Sequence, residues 1–162
     1  MGCGLWTMND GQINIATIGV VGAGTMGQGV AQLCAQKGFK TILLDINPLT
    51  LAKAETLTEQ NLQKLVVKGT LTTAQKEVVW QNITFTSQAR QVTADLIIEA
   101  VTENLAVKQS IFLELAALNP ITTVLASNTS SIPITRIAAP IPHPKRVVGM
   151  HFFNPVVFLP KV

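Results

Sequence analysis

Residues 13–27 read Ile-Asn-Ile-Ala-Thr-Ile-Gly-Val-Val-Gly-Ala-Gly-Thr-Met-Gly, and the fold turns on this stretch. Its first nine residues, through Val21, are mostly apolar and β-branched, the pattern of a strand buried on both faces. Glycines then fall at 22, 24 and 27. From Thr25 to Lys37 apolar residues recur at helical spacing, at Met26, Val30, Leu33 and Cys34, and Gly38 closes that helix as its C′ residue.

The rest of the chain repeats the same alternation. Thr41–Asp45 reads as a second strand. Asn47 and Pro48 open a helix, Asn as N-cap and Pro at the first helical position, with Leu51, Ala54, Leu62 and Leu65 turned inward and an end near Gly69. A short helix begins at Thr72 or Thr73 and runs through Trp80. Ile83–Thr86 and Ala94–Glu99 read as strands, and Asn104 starts a helix whose inward positions are Val107, Ile111, Leu115 and Leu118, stopped by Asn119-Pro120. Thr122–Ala126 is a strand, Ile132–Ala138 a helical turn and Arg146–Phe152 a last strand. Strands alternating with helices across short breaks predict an α/β fold: a Rossmann-type, doubly wound, mainly parallel sheet with helices on both faces. Residues 13–162 are expected to form this one domain, with residues 1–12 as a tail.

Composition excludes several classes. Hydrophobic residues make up 48% of the 162 and charged residues only 13%, so the chain has a core to bury and is not disordered. Mean hydropathy is +0.38, yet Gly, Asp, Asn, Glu or Lys breaks every apolar run before the roughly 18 residues that a membrane-spanning helix needs. The net charge of +3 is scattered, and Lys145-Arg146 is the only adjacent basic pair, so no basic face for nucleic acid forms. Cys3 and Cys34 make neither a disulfide framework nor a metal pattern, which points to the cytoplasm or another reducing compartment and to no bound metal. The first residues lack the positive n-region and apolar stretch of a secretory signal, and Trp6 stands where a myristoylation motif needs Ser or Thr.

Gly22-Ala-Gly-Thr-Met-Gly27 matches G-x-G-x-x-G with its full context: a strand before, a helix opening at Thr25 and Met26, and an acid, Asp45, about 20 residues on at the end of the next strand. Gly22 permits the tight turn, Gly24 lets a pyrophosphate approach the backbone, and Gly27 lets helix and sheet pack closely. The amino end of the helix offers unpaired N–H groups to the phosphates. Asp45 is placed to accept the adenosine ribose hydroxyls, and a 2′-phosphate would meet its charge without an Arg nearby, so NAD is favoured over NADP. Ligands of open parallel sheets sit beyond the carboxyl ends of the strands. There the chain concentrates polar residues: Glu99 to Glu103, Ser127 to Ser131 and His151 to Asn154. Removing a hydroxyl proton during hydride transfer needs a base that titrates near neutrality. His143, between two prolines, reads as a surface residue. His151, at a strand end, fits a core histidine as well as a catalytic one.

Gly22–Gly27, Asp45, Ile98-Glu-Ala-Val-Thr-Glu-Asn104, Ala126-Ser-Asn-Thr-Ser-Ser131 and Gly149-Met-His-Phe-Phe-Asn-Pro155 together resemble, in order and spacing, the L-3-hydroxyacyl-CoA dehydrogenase family. The resemblance runs from about Ile15 to Val162. It implies NAD-dependent oxidation of an L-3-hydroxyacyl-CoA to the 3-ketoacyl-CoA in fatty-acid metabolism. His151 matches the catalytic histidine, and Ser130 the serine that contacts the reacting oxygen and the cofactor. Asn154 is read either as helping to orient the site or as a turn residue before Pro155; Glu103 and Lys108 match NAD contacts, and Lys68 matches a lysine that holds CoA. Asn61 stands where some relatives have a CoA-contacting serine.

In the family, a glutamate that supports the histidine lies at what would be the residue after Val162, and a helical domain follows. On that comparison the chain is expected to bind NAD weakly to moderately and to turn over acyl-CoA poorly alone. Its expected partners are the acyl-CoA, a C-terminal helical domain or a second copy of itself. A non-catalytic dinucleotide-binding or structural module is the alternative. Other two-domain NAD dehydrogenases would place a lysine, not Ser130 and His151, at the chemical centre.

Overall fold

The computed structural model describes residues 14–153 and Val156; the expected tail and Asn154 lie outside the described residues. In chain order the elements are β1 (Thr17–Val21), α1 (Thr25–Gln36), β2 (Lys40–Leu44), α2 (Pro48–Val67), α3 (Thr73–Gln81), β3 (Ile83–Thr86), β4 (Leu96–Glu99), α4 (Leu105–Leu118), β5 (Val124–Asn128), α5 (Ile134–Ala138) and β6 (Val147–Met150). The strands form one sheet in the order β3-β2-β1-β4-β5-β6, and every neighbouring pair is parallel. The winding direction reverses between β1 and β4, so the crevice beyond their carboxyl ends is the natural ligand site.

Both faces of the sheet are covered, and the strands show how. Side chains alternate across a strand, and here adjacent residues join different cores. Val21, Leu44, Ile97 and Leu125 pack with Phe112, Leu115 and Ile137 of α4 and α5. Val20, Leu43, Ile98 and Ala126 pack with Val30, Ala31 and Ala54 of α1 and α2. A third, smaller cluster seats α3 through Val79 against Ala35, Leu62 and Ile83. Burial on both faces is why the central strands read as unbroken apolar runs.

Helix ends follow local chemistry. Asn47 Oδ1 accepts from the Leu49 and Thr50 amides at 2.9 and 3.4 Å, with Pro48 at the first helical position. Thr72, not Thr73, caps α3, in a reciprocal box with Gln75: each side chain accepts from the other's backbone amide.

Several boundaries differ from the sequence reading: β2 runs Lys40–Leu44 rather than Thr41–Asp45, β4 starts at Leu96 rather than Ala94, α5 at Ile134 rather than Ile132, and three more have causes visible in the hydrogen bonds. β1 begins at Thr17, because Asp95 Oδ2 accepts both the Ala16 and Thr17 amides at 2.9 Å and anchors the strand start. β5 starts two residues later than read, since Thr123 is held in a turn by Pro120 O and by its own hydroxyl on Ala94 O. β6 stops at Met150, where the Phe152 amide leaves the ladder for Asn128 Oδ1 at 3.0 Å.

The inward face of α4 is a further correction. Val107 and Leu118 are exposed, and the buried stripe is Lys108, Phe112 and Leu115, continued by Asn119. Two of those four are polar, and each is satisfied inside: Lys108 by an ion pair, and Asn119 by Val92 O, Leu115 O and the Ala94 amide. Hydrophobicity alone therefore pointed to the neighbouring stripe.

Candidate functional site

The glycine turn is shaped by contact. Gly22 has φ of 96°, its amide donates to Leu44 O at 2.8 Å, and a Cβ there would lie 2.8 Å from Ala100 O. A Cβ on Gly27 would lie 1.8 Å from Gly22 O, so α1 packs directly on the turn. Gly24 is different: a Cβ on it would meet nothing within 4 Å. That open space stands over the N-cap of α1, where no side chain satisfies the first amides, and a phosphate fits it.

Asp45 follows β2 and faces the turn. Its Oδ2 accepts the Ala23 amide at 2.8 Å and its Oδ1 the Asn47 amide at 2.9 Å. A carboxylate has about four acceptor positions, so two remain for the hydroxyls of a ribose. Gly22, Gly24, Asp45, Ile46, Ala100 and Val101 border a cleft of about 930 Å³.

Farther along the edge, the ends of β4 and β5 meet in a buried polar cluster. Glu99, Lys108 and Ser127 are each 0% exposed. Lys108 Nζ donates to Glu99 Oε1 and Oε2 at 2.8 and 2.9 Å and to Asn128 O at 3.1 Å, and it lies 3.4 Å from Glu103 Oε2. Glu99 also accepts from the Val101 amide at 2.7 Å and from Ser127 Oγ at 2.6 Å. Glu103, partly exposed, receives the Thr129 and Ser131 hydroxyls and the Ser130 and Ser131 amides on Oε1. Burial by itself would raise the Glu103 carboxyl; the Thr129 and Ser131 hydrogen bonds and the Lys108 charge outweigh it and hold the pKa at about 2.

His151 lies just past β6. Its Nδ1 is 3.2 Å from Thr129 O, and its ring packs against Phe153 with centroids 4.7 Å apart. A carbonyl only accepts, so in the neutral ring Nδ1 carries the proton and Nε2 keeps a lone pair. His151, Ser130, Glu103 and Met26 border a hollow of about 270 Å³. Ala100 and Val101 line both this hollow and the larger cleft, so one continuous edge runs from Asp45 to His151.

The structure thus brings Gly22, Gly24, Thr25, Met26, Gly27, Asp45, Glu103, Ser130 and His151 to one edge of the sheet. Lys108 sits behind that edge at 0% exposure, its ammonium meeting Asn128 O and Glu103, two residues that border the hollow. Lys68 caps the carboxyl end of α2 and borders neither hollow. Glu99, Asn128 and Thr129 carry structural roles that the sequence reading did not assign. A signal was present: an acid ending the apolar run Leu96-Ile-Ile-Glu99 and a lysine on the inward stripe of the next helix form a compensating pair.

Residues 17–162 match the family model described as 3-hydroxyacyl-CoA dehydrogenase, NAD binding domain. The chain is 43% identical over 144 residues to 3-hydroxyadipyl-CoA dehydrogenase of Escherichia coli K12, spanning 88% of this chain and 30% of that protein. It is 41% identical over 145 residues to a probable 3-hydroxybutyryl-CoA dehydrogenase of Bacillus subtilis, spanning 89% of this chain and 50% of that one. Among solved structures, the 3-hydroxybutyryl-CoA dehydrogenase of Escherichia coli K12 superposes with a TM-score of 0.87 at 40% identity, covering 90% of this chain and 31% of its own. The chain therefore spans half or less of the length of these relatives.

Proposed function

The chain belongs to the family of NAD-binding domains of 3-hydroxyacyl-CoA dehydrogenases, and on that footing we propose that it is the cofactor-binding and proton-transferring part of an enzyme that oxidises L-3-hydroxyacyl-CoA to 3-ketoacyl-CoA. One observation carries the reading: the base His151, with Ser130 beside it, lies on the same edge as the glycine turn and Asp45. Bound NAD supplies the acceptor for the hydride that leaves C3. His151 accepts the 3-hydroxyl proton at Nε2, the nitrogen left unprotonated by the Thr129 contact, and returns it to the ketone oxygen in the reverse direction. Ser130 donates to that oxygen and holds it in line, and Asn154 helps to orient the site. Thr25 and Met26 stand at the amino end of α1 beside the cofactor, and Glu103 borders the same hollow.

Asp45 reads the ribose, and its charge disfavours a 2′-phosphate. Lys68 holds the polyanionic CoA, which brings the thioester over the His151 hollow. A C-terminal helical domain, as the greater length of the relatives suggests, completes the substrate cleft. We place the protein in the cytoplasm, a reducing compartment that suits Cys34, a free thiol among the described residues.

The test is NADH-dependent reduction of acetoacetyl-CoA by this chain, alone and mixed with a helical C-terminal half from a relative. Turnover is expected in the mixture and should fall about 10²–10⁴-fold in His151→Ala, the usual worth of a general base, with NAD affinity kept. Asp45→Ala should narrow the ratio of NADP to NAD dissociation constants. NAD binding without turnover in any mixture would favour the non-catalytic reading.

A further inference from the structure

The cluster behind the hollow is more than core filling. Replacing a buried ion pair with apolar side chains is often neutral or stabilising, so stability alone does not account for a lysine and a glutamate at 0% exposure. Their bonding is also unusually complete. All three Lys108 N–H groups have acceptors, on Glu99 Oε1, Glu99 Oε2 and Asn128 O, with Glu103 as a second ion-pair partner, and the acceptor positions of Glu99 are filled by Lys108, the Val101 amide and Ser127 Oγ.

Each outward bond ends on the segment that carries the site. Lys108 fixes the carbonyl of Asn128, whose side chain accepts the Phe152 amide beside His151. It also faces Glu103, which gathers the Ser130 and Ser131 amides and the Thr129 hydroxyl. Thr129 in turn offers the carbonyl that His151 Nδ1 meets.

We infer that Glu99 and Lys108 form a buried positioning pair: anchored in β4 and α4, it fixes residues 128–131 and thereby sets the placement of Ser130 and the tautomer of His151. Glu99 touches neither cofactor nor substrate in this scheme. Lys108 acts on the loop through Glu103 and the Asn128 carbonyl. The value of that placement to catalysis rests on the function proposed above, whereas the placement itself does not.

Because fully satisfied polar networks specify one arrangement, removing the pair should loosen the loop even where volume is conserved. The experiment compares the unaltered full chain with Glu99→Gln, and with Glu99→Gln combined with Lys108→Met, without cofactor or substrate. Ring ¹⁵N shifts of His151 and amide shifts of Ser130 and Ser131 are read by NMR, and thermal unfolding is measured in parallel.

In the unaltered chain, neutral His151 is expected as a single Nδ1–H tautomer. Glu99→Gln leaves the buried ammonium with only the partly exposed Glu103 as a carboxylate partner and should lower the melting temperature. The double variant carries no stranded charge and should melt near the unaltered chain, yet give a mixed His151 tautomer and upfield-shifted Ser130 and Ser131 amides. A double variant that keeps the single tautomer and the amide shifts would overturn the inference, since a merely structural pair predicts that result. If the double variant does not fold, Glu103→Gln, at a partly exposed position, supplies the decision: unchanged Ser130, Ser131 and His151 signals there would equally overturn it. These signals are independent of NAD binding and turnover, so a failure here and a failure of the proposed function are told apart.

Discussion

Glu103 shows how one carboxylate can be both exposed and strongly committed. Its folded pKa of about 2 lies below the ordinary 4.5 because the bonds from Thr129 and Ser131 and the Lys108 charge favour the anion over the neutral acid. A depressed carboxyl contributes stability that is present above its unfolded pKa and is lost as pH falls through its folded one. The stability difference between the unaltered chain and Glu103→Gln should therefore be constant above about pH 5 and shrink between about pH 4.5 and 2. Urea unfolding at a series of pH values measures it, and a difference that grows on acidification would contradict the assignment. The sequence marked Glu103 through its place in the Glu-Asn motif. It did not reveal the four donors on Oε1, because they come from residues 26 to 28 positions away, and only the β4–β5 pairing brings those segments together.

At the level of elements, the β1–turn–α1 unit was legible nearly whole, since each glycine answers a local constraint. The structure separates those constraints, and two substitutions exploit this. Gly27→Ala drives a Cβ into the backbone oxygen of Gly22, a clash that no side-chain rearrangement relieves; it should cost at least the roughly 1–3 kcal/mol of ordinary overpacking and abolish dinucleotide binding. Gly24→Ala meets no atom among the described residues and should leave the melting temperature within about 2 °C, while weakening NAD binding by crowding the space over the α1 amino end. Thermal unfolding with calorimetric NAD titration distinguishes the two, and equal loss of stability in both variants would refute the contrast. Less legible was α4. Its inward stripe holds Lys108 and Asn119, whose partners lie on β4 and in the connection around Val92 and Ala94, so a pattern of apolar residues on one helix could not locate it.

For the whole molecule, alternation of strands and helices was enough to predict a parallel, doubly wound sheet, because parallel neighbours need crossovers and the helices between strands provide them. Strand order was constrained by that rule but not read from individual residues. A ligand that binds only the folded state stabilises it in proportion to the logarithm of its concentration. NAD at 100 times its dissociation constant should therefore add about 2.7 kcal/mol to the unfolding free energy, with NADP at the same concentration adding much less. A melting temperature indifferent to NAD would count against the site. The two-sided interior has its own consequence for how such a chain can change. With Val20 and Val21, Leu43 and Leu44, and Ile97 and Ile98 each serving opposite layers, deleting one residue inside a central strand would exchange the occupants of both layers at once. Variation in length is therefore confined to the connections, while the strands drift only by replacement of one apolar side chain with another of similar bulk.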